Sequence, residues 1–192
     1  MEGWNGCDLC DVNPNLIDSY KKICSKFDYC DNIKSIGDKF IKENLSDNFI
    51  ALHLRYHDVY NQNIKDVNKL YDESDIKILL DKLKGDQKIS VFIATNNQKR
   101  ILESELKDCK MLPSSIENDE LESFIEQYIC CRSNKFLYSG GIHAKPNHTH
   151  LRSTWSSFVL DYRYCILNKE SSNNIYLSNY FSDKEIKSGY KY

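Results

Sequence analysis

The sequence predicts an α/β fold, a Rossmann-like parallel sheet with flanking helices, and three observations carry that reading. From Asn48 onward, short β-rich apolar runs alternate with amphipathic helical stretches, the pattern of a parallel sheet with right-handed crossovers. The run Lys88 to Ala94 reads as one near-continuous apolar strand, as expected where a sheet is buried on both faces. Ile76, Leu79, Leu80 and Leu83 keep helical spacing and stop at Gly85, a residue suited to ending a helix.

Each element follows from its local pattern. Two helices open the chain, over about 14–27 after Pro14 and about 34–45, where Ile36, Phe40, Ile41 and Leu45 share one face. Asn48 to Tyr56 is β-rich and forms the first strand, and a polar loop covers roughly 57–72. The helix of Ile76 to Leu83 and the strand Lys88 to Ala94 come next. A helix over about 97–107, a short strand at 109–112 and a helix from about 119 to 132 follow. Phe136-Leu137-Tyr138 is a strand, Ser153 to Leu167 a helix, and Ile175-Tyr176-Leu177 the last strand. The organisation is a helical, cysteine-containing segment over 1–47, a Rossmann-like domain over 48–180 and a tail over 181–192.

Composition excludes several function classes. The 26 basic and 28 acidic residues nearly cancel, to a formal charge of −2, without the basic excess or stripe of a dedicated nucleic-acid binder. The longest apolar runs, such as Phe49-Ile50-Ala51-Leu52 and Val91-Phe92-Ile93-Ala94, span four residues, whereas a membrane helix needs about 20. Met1 is followed by Glu2, Gly3, Trp4 and Asn5, so no signal peptide is expected in the chain as written. Neither a glycine-rich dinucleotide fingerprint nor a Walker loop occurs.

Eight cysteines are many for this length, and the first four read C-x2-C-x13-C-x5-C at Cys7, Cys10, Cys24 and Cys30. The last spacing is too long for a zinc knuckle, so disulfides or free thiols fit better than a structural metal. The sequons at Asn44-Leu45-Ser46 and Asn147-His148-Thr149 agree with an oxidising compartment, although such triplets are also common by chance. His143, His148 and His150 lie in the polar stretch Gly140 to Arg152 without an accompanying carboxylate or cysteine, which favours a loop over a metal site.

In open α/β sheets the ligand sits outside the carboxyl ends of the strands. That rule selects His53, Arg55 and Asp58 after the first strand, Thr95 and Asn96 after the second, and Ser139 to Gly141 after the strand at Phe136. His53 and Arg55 lie on one strand face. An arginine there offers a permanent charge and a bidentate grip on phosphate. Ser153-Thr154-Trp155-Ser156 opens a helix with hydroxyl residues, and its first-turn amides can face an anion.

Three ordered blocks resemble the GDP-fucose-dependent fucosyltransferase superfamily of protein O-fucosyltransferases, α1,6-fucosyltransferases and nodulation fucosyltransferases. They are Phe49-Ile50-Ala51-Leu52-His53-Leu54-Arg55 with Asp58; Val91-Phe92-Ile93-Ala94-Thr95-Asn96; and Glu126 to Phe136, resuming at Ser153 to Val159 with Arg163. The similarity covers roughly 48–163. It implies the C-terminal, donor-binding half of a GT-B-type glycosyltransferase. By this resemblance Arg55 is the catalytic residue that holds the β-phosphate of GDP-fucose. His53, Asp58, Thr95, Asn96, Ser153, Thr154, Trp155 and Ser156 line the donor, and Glu126 stands where the family reads guanine with an aspartate. Asn96, Asn134 and Trp155 replace the family's aspartate, aspartate and phenylalanine.

The implied activity is inverting transfer of L-fucose from GDP-fucose to a protein or glycan hydroxyl. No metal or other cofactor is expected, no nucleic acid and no membrane span. The acceptor side and any general base are expected from a half that the family places upstream. The competing expectations are a catalytically inactive nucleotide-sugar-binding module and a cysteine-rich interaction domain. A further N-terminal region would imply the ER or Golgi lumen, and a chain complete as written the cytoplasm.

Overall fold

The structure, a computed structural model, describes residues 14–56, 72–113, 119–139 and 154–177. Its elements are α1 (Pro14–Cys24), α2 (Asp31–Asn44), β1 (Phe49–Leu54), α3 (Glu73–Lys84), β2 (Ser90–Thr95), α4 (Gln98–Leu102), α5 (Asp119–Arg132), β3 (Lys135–Tyr138), α6 (Thr154–Cys165), a 3-10 turn (Ser171–Asn173) and β4 (Asn174–Tyr176). The polar loop expected at 57–72 lies almost wholly outside the described residues, as do the histidine-bearing stretch 140–152, the tail and Cys7 and Cys10.

The four strands form one sheet in the order β2-β1-β3-β4, parallel throughout. Beyond β2, Lys110 makes a single parallel bridge to Phe92, with Ile93 N–H donating to Lys110 O and Lys110 N–H to Val91 O, both at 2.8 Å. The strand expected at 109–112 is thus reduced to one bridge. The chain steps outward from β1 to β2 to Lys110, then returns to the other side of β1 for β3 and β4. That reversal puts a topological switch point between β1 and β3, where open α/β sheets bind ligands.

Alternation along the strands sorts the core into two layers. Phe49 and Ala51 of β1 join Phe92, Ala94, Phe136 and Tyr138 on one face, packed by residues of α2, α5 and α6. Ile50, Leu52 and Leu54 join Val91, Ile93 and Leu137 on the other, under Ile76, Leu79 and Leu80 of α3 and Ile101 and Leu106. Both faces are covered, which explains the unbroken burial of β1.

Helix boundaries obey local chemistry. Asp72 caps α3 by accepting the Ser74 N–H, and Gly85 ends it at φ 54°, a left-handed conformation that favours glycine. The helix expected over 97–107 stops at Leu102. Ser104 Oγ donates to Ile101 O at 2.8 Å and accepts from Leu106 N–H at 3.1 Å, so its hydroxyl competes with the helical ladder and the chain continues as turns. Gly37 of α2 faces the ring of Tyr128 so closely that a Cβ there would overlap Cδ1; the glycine lets α2 settle on α5.

One buried cation ties the second half together. Arg163 on α6 is fully buried. It donates from Nη1 to the carbonyls of Cys130 (3.2 Å), Cys131 (3.1 Å) and Ser133 (2.7 Å), and from Nη2 to Asn134 O (3.2 Å) and Asn173 O (3.4 Å). Its Nε donates to Asn174 Oδ1 at 2.7 Å. Several of these carbonyls are the orphan acceptors that end α5, where the helix dipole also favours positive charge. Lys169 reinforces the cap, donating to Arg132 O at 2.8 Å and to Ser133 O. Replacing Arg163 with Met leaves these acceptors buried and unpaired, and we expect a loss of about 3 kcal/mol or more. Thermal unfolding checks this: Tm should fall by about 6 °C or more, and an unchanged Tm would show that the cap is dispensable.

Candidate functional site

The carboxyl ends of β1, β2 and β3, the middle of α5 and the first turn of α6 converge at the switch point. β1 runs as a regular strand to Leu54. Ser139 N–H donates to His53 O at 3.1 Å, and the Arg55 N–H then bonds to the buried Ser139 hydroxyl at 3.1 Å. The next residue is clamped from β2: Asn96 Oδ1 accepts Tyr56 N–H at 2.8 Å, and its Nδ2 donates to Tyr56 O at 2.5 Å. The Tyr56 ring lies 4.3 Å under the Arg100 guanidinium, and its hydroxyl donates to Glu73 Oε1 at 2.7 Å. Arg55 is therefore presented, exposed, from a backbone fixed on both sides.

His53 faces the opposite environment. It is 5% exposed, its Nδ1 shares a hydrogen bond of 2.7 Å with Ser156 Oγ, and its ring stacks on Trp155 at 4.0 Å and 23°. Burial, with the nearby Arg55 charge, lowers its pKa to about 3, so the ring is neutral at physiological pH. Trp155 is anchored in turn by its Nε1–H, which donates to Ser123 Oγ on α5 at 2.9 Å. Ser156 is fully buried. Hydroxyl, imidazole and indole thus fix the first turn of α6 against β1 and α5.

Glu126 contributes the unusual group. It is 8% exposed, and its Oε1 has no hydrogen-bond partner among the described residues. Burial and the charge of Glu122 raise its pKa to about 8, against a hydrogen bond with the Thr95 backbone that lowers it. The neighbouring Gln127 likewise buries an unpartnered Oε1. Buried acceptors are normally paired, so the open Oε1 of Glu126, whose carboxyl also meets the Thr95 backbone at the end of β2, marks a place that wants N–H donors. Thr95 closes β2 and accepts Asn97 N–H on its hydroxyl at 3.2 Å.

Of the residues selected from the sequence, His53, Arg55, Thr95, Asn96, Glu126, Trp155 and Ser156 come together here. Thr154 opens α6; Asp58 and Ser153 lie outside the described residues. Asn96 spends both ends of its amide on the Tyr56 backbone, so it positions Arg55. Gln127, Ser123 and the Tyr56–Glu73–Arg100 group escaped sequence reasoning, because a glutamine or serine on a helix carries no local signal of what it will face. Among the described residues, no group of three or more His, Cys, Asp or Glu side chains gathers for a metal ion, and no helix is long and apolar enough to cross a membrane.

The parallel sheet with helices on both faces is a Rossmann-like α/β fold of the kind found in GT-B glycosyltransferases. The family model of GDP-fucose protein O-fucosyltransferases matches residues 17–141, and the chain belongs to that family. Its fold is similar to the crystal structure of POFUT1 in complex with GDP, with a TM-score of 0.54 at 14% identity over 82% of this chain and 49% of that one. It is equally similar to POFUT1 in complex with GDP-fucose, with a TM-score of 0.54 at 15% identity over 82% and 48% of the two chains. The fucosyltransferase NodZ from Bradyrhizobium aligns with a TM-score of 0.45 at 16% identity, over 68% and 41%. The chain spans about half the length of the solved structures it matches. No curated protein sequence matches it.

The two buried titratable groups act on stability in opposite senses. His53 binds fewer protons folded than unfolded between about pH 3 and its ordinary value near 6.5, so stability is lost as pH falls through that window. Glu126 holds its proton when folded up to about pH 8, against about 4.3 unfolded, so stability is lost as pH rises between those values. Glu126→Gln should therefore be more stable than the wild type at pH 8 by at least about 1 kcal/mol and near-equal at pH 4. Chemical denaturation of both proteins across this range checks it, and parallel pH profiles would contradict the assignment.

Proposed function

We propose that the chain binds GDP-fucose at this rim and serves as the donor-binding half of an inverting fucosyltransferase. The single observation that carries the reading is the buried carboxyl of Glu126, whose Oε1 has no partner among the described residues, on the same strand-end rim as a clamped, exposed Arg55. A base with two adjacent N–H donors satisfies a carboxylate, and guanine offers that pair where adenine does not. Arg55 supplies charge and a fork for the diphosphate. The first-turn amides of α6, held in place by the His53–Ser156 and Trp155–Ser123 bonds, add a partial positive charge at the same rim.

In the transfer step the C1–O bond of the fucosyl donor breaks, and negative charge gathers on the departing diphosphate. Arg55 and the α6 amides neutralise that charge electrostatically, which is often the largest catalytic contribution, and in this reading they do so without a metal ion. Neutral His53 packs under the donor without competing for its charge. The acceptor, a protein or glycan hydroxyl, attacks from the opposite face and inverts the anomeric centre. Its base comes from outside the described residues. A donor-binding module without transfer is the second reading, favoured by Asn96, whose amide is committed to Tyr56 and unavailable to the sugar.

GDP should stabilise the chain where ADP and UDP do not, with a gain of about 2.7 kcal/mol at 100 times its Kd. Because Glu126 must ionise to accept two N–H groups, GDP affinity should tighten as pH rises from 6 to 8.5, and Glu126→Gln should flatten that profile and erode the preference over ADP. Arg55→Ala should weaken GDP at least about tenfold, the loss of one charged hydrogen bond. Calorimetric titration with the three nucleotides checks all of this; equal stabilisation by GDP and ADP would contradict base reading at Glu126. Release of fucose from GDP-fucose separates transfer from binding alone.

A further inference from the structure

The cysteines are the sequence feature that a donor site leaves unused. Six of the eight fall among the described residues, each as a free thiol. Cys130 and Cys131 are buried in the core between sheet and helices, and Cys109 packs against the other face. Cys24 and Cys165 stand apart because they face each other across a helix pair.

α1 and α6 pack side by side, and three contacts run along one seam. Tyr20 hydrogen bonds to Asp161, the Lys21 ammonium sits 4.6 Å over the Tyr164 ring, and the Cys24 and Cys165 thiols hydrogen bond to each other. Tyr20 to Cys24 and Asp161 to Cys165 are both steps of four residues, about one helical turn. The helices therefore meet in parallel register, and the sulfur pair repeats the tyrosine–carboxylate pair one turn further on. Cys24 is half-buried and reachable from solvent, whereas Cys165 is 7% exposed.

We propose that Cys24 and Cys165 are a built disulfide site, closed by a low-molecular-weight disulfide such as oxidised glutathione. The accessible Cys24 thiolate attacks one sulfur of the small disulfide; that S–S bond breaks and the first thiol departs with a proton. The Cys165 thiol then gives up its proton and attacks the Cys24 sulfur. The Sγ–Sγ bond forms and the second small thiol leaves. Two cysteines lose two electrons and two protons, and one small disulfide becomes two thiols. Burial pushes the Cys165 thiol up to about 12, so it is held as the protonated thiol until the second step takes its proton. The bond closes a loop containing the whole sheet, the case in which a cross-link constrains the unfolded chain most. It also pins the far end of the helix whose first turn lines the donor rim.

The test needs no nucleotide, so its outcome is independent of the donor-site reading. The full chain is equilibrated in oxidised or reduced glutathione, free thiols are alkylated, and peptides are mapped by mass spectrometry. We expect one cross-linked pair, Cys24 with Cys165, and a Tm higher by about 5–15 °C in the oxidised protein. Cys24→Ser, at the half-exposed position, should keep the reduced Tm and abolish the oxidative gain, and Cys165→Ser should leave Cys24 as a stable glutathione adduct. Alkylation of both cysteines after oxidation, a glutathione adduct on wild-type Cys24, or a cross-link to a different cysteine would overturn the proposal.

Discussion

A buried guanidinium at the end of α5 is the constraint on which the rest of this half-domain depends. Arg163 has no carboxylate partner among its hydrogen bonds; its charge is met by carbonyls of the α5 terminus and of the segments entering β3 and β4. Such a cation is tolerated because every donor is used and because the helix dipole lowers the potential there. α5 carries Ser123, Glu126 and Gln127, and α6 carries Trp155 and Ser156. The side chain that locks the two helices together about two turns from the rim therefore sets the spacing of the site.

The rim combines three charge states fixed by environment. Arg55, exposed, supplies a permanent cation. His53, sealed under Trp155, is held neutral, and Glu126, sealed under the strand ends, is held protonated at neutral pH. Both buried groups cost the unliganded fold something, and two orphan acceptors add to that cost. Departures of this kind from the rule that buried polar atoms are paired concentrate at functional sites. A donor-bearing ligand offsets them at the moment of binding.

Much of this was legible in the sequence. The strands ending at Leu54, Thr95 and Tyr138 are visible as apolar β-rich runs between helical stretches, and the strand-end rule then leads to His53, Arg55, Thr95 and Ser156. What escaped depends on contacts between residues far apart in the chain. Asn96 looked like a ligand, and only the fold shows its amide turned toward Tyr56. The break at Ser104 is a hydroxyl taking over a backbone bond, which helix periodicity does not register. The pairing of Cys24 with Cys165 spans nearly the whole domain, and their spacing along the chain gives no hint of it.

The most direct test of the account is a nuclear magnetic resonance titration of the chain with GDP. The account predicts saturable shifts at the Trp155 indole N–H and at the Arg55 and Ser139 backbone amides, with the amides of α1 unmoved. Saturable binding that leaves these three signals in place would contradict it, because the nucleotide would then lie away from the switch point.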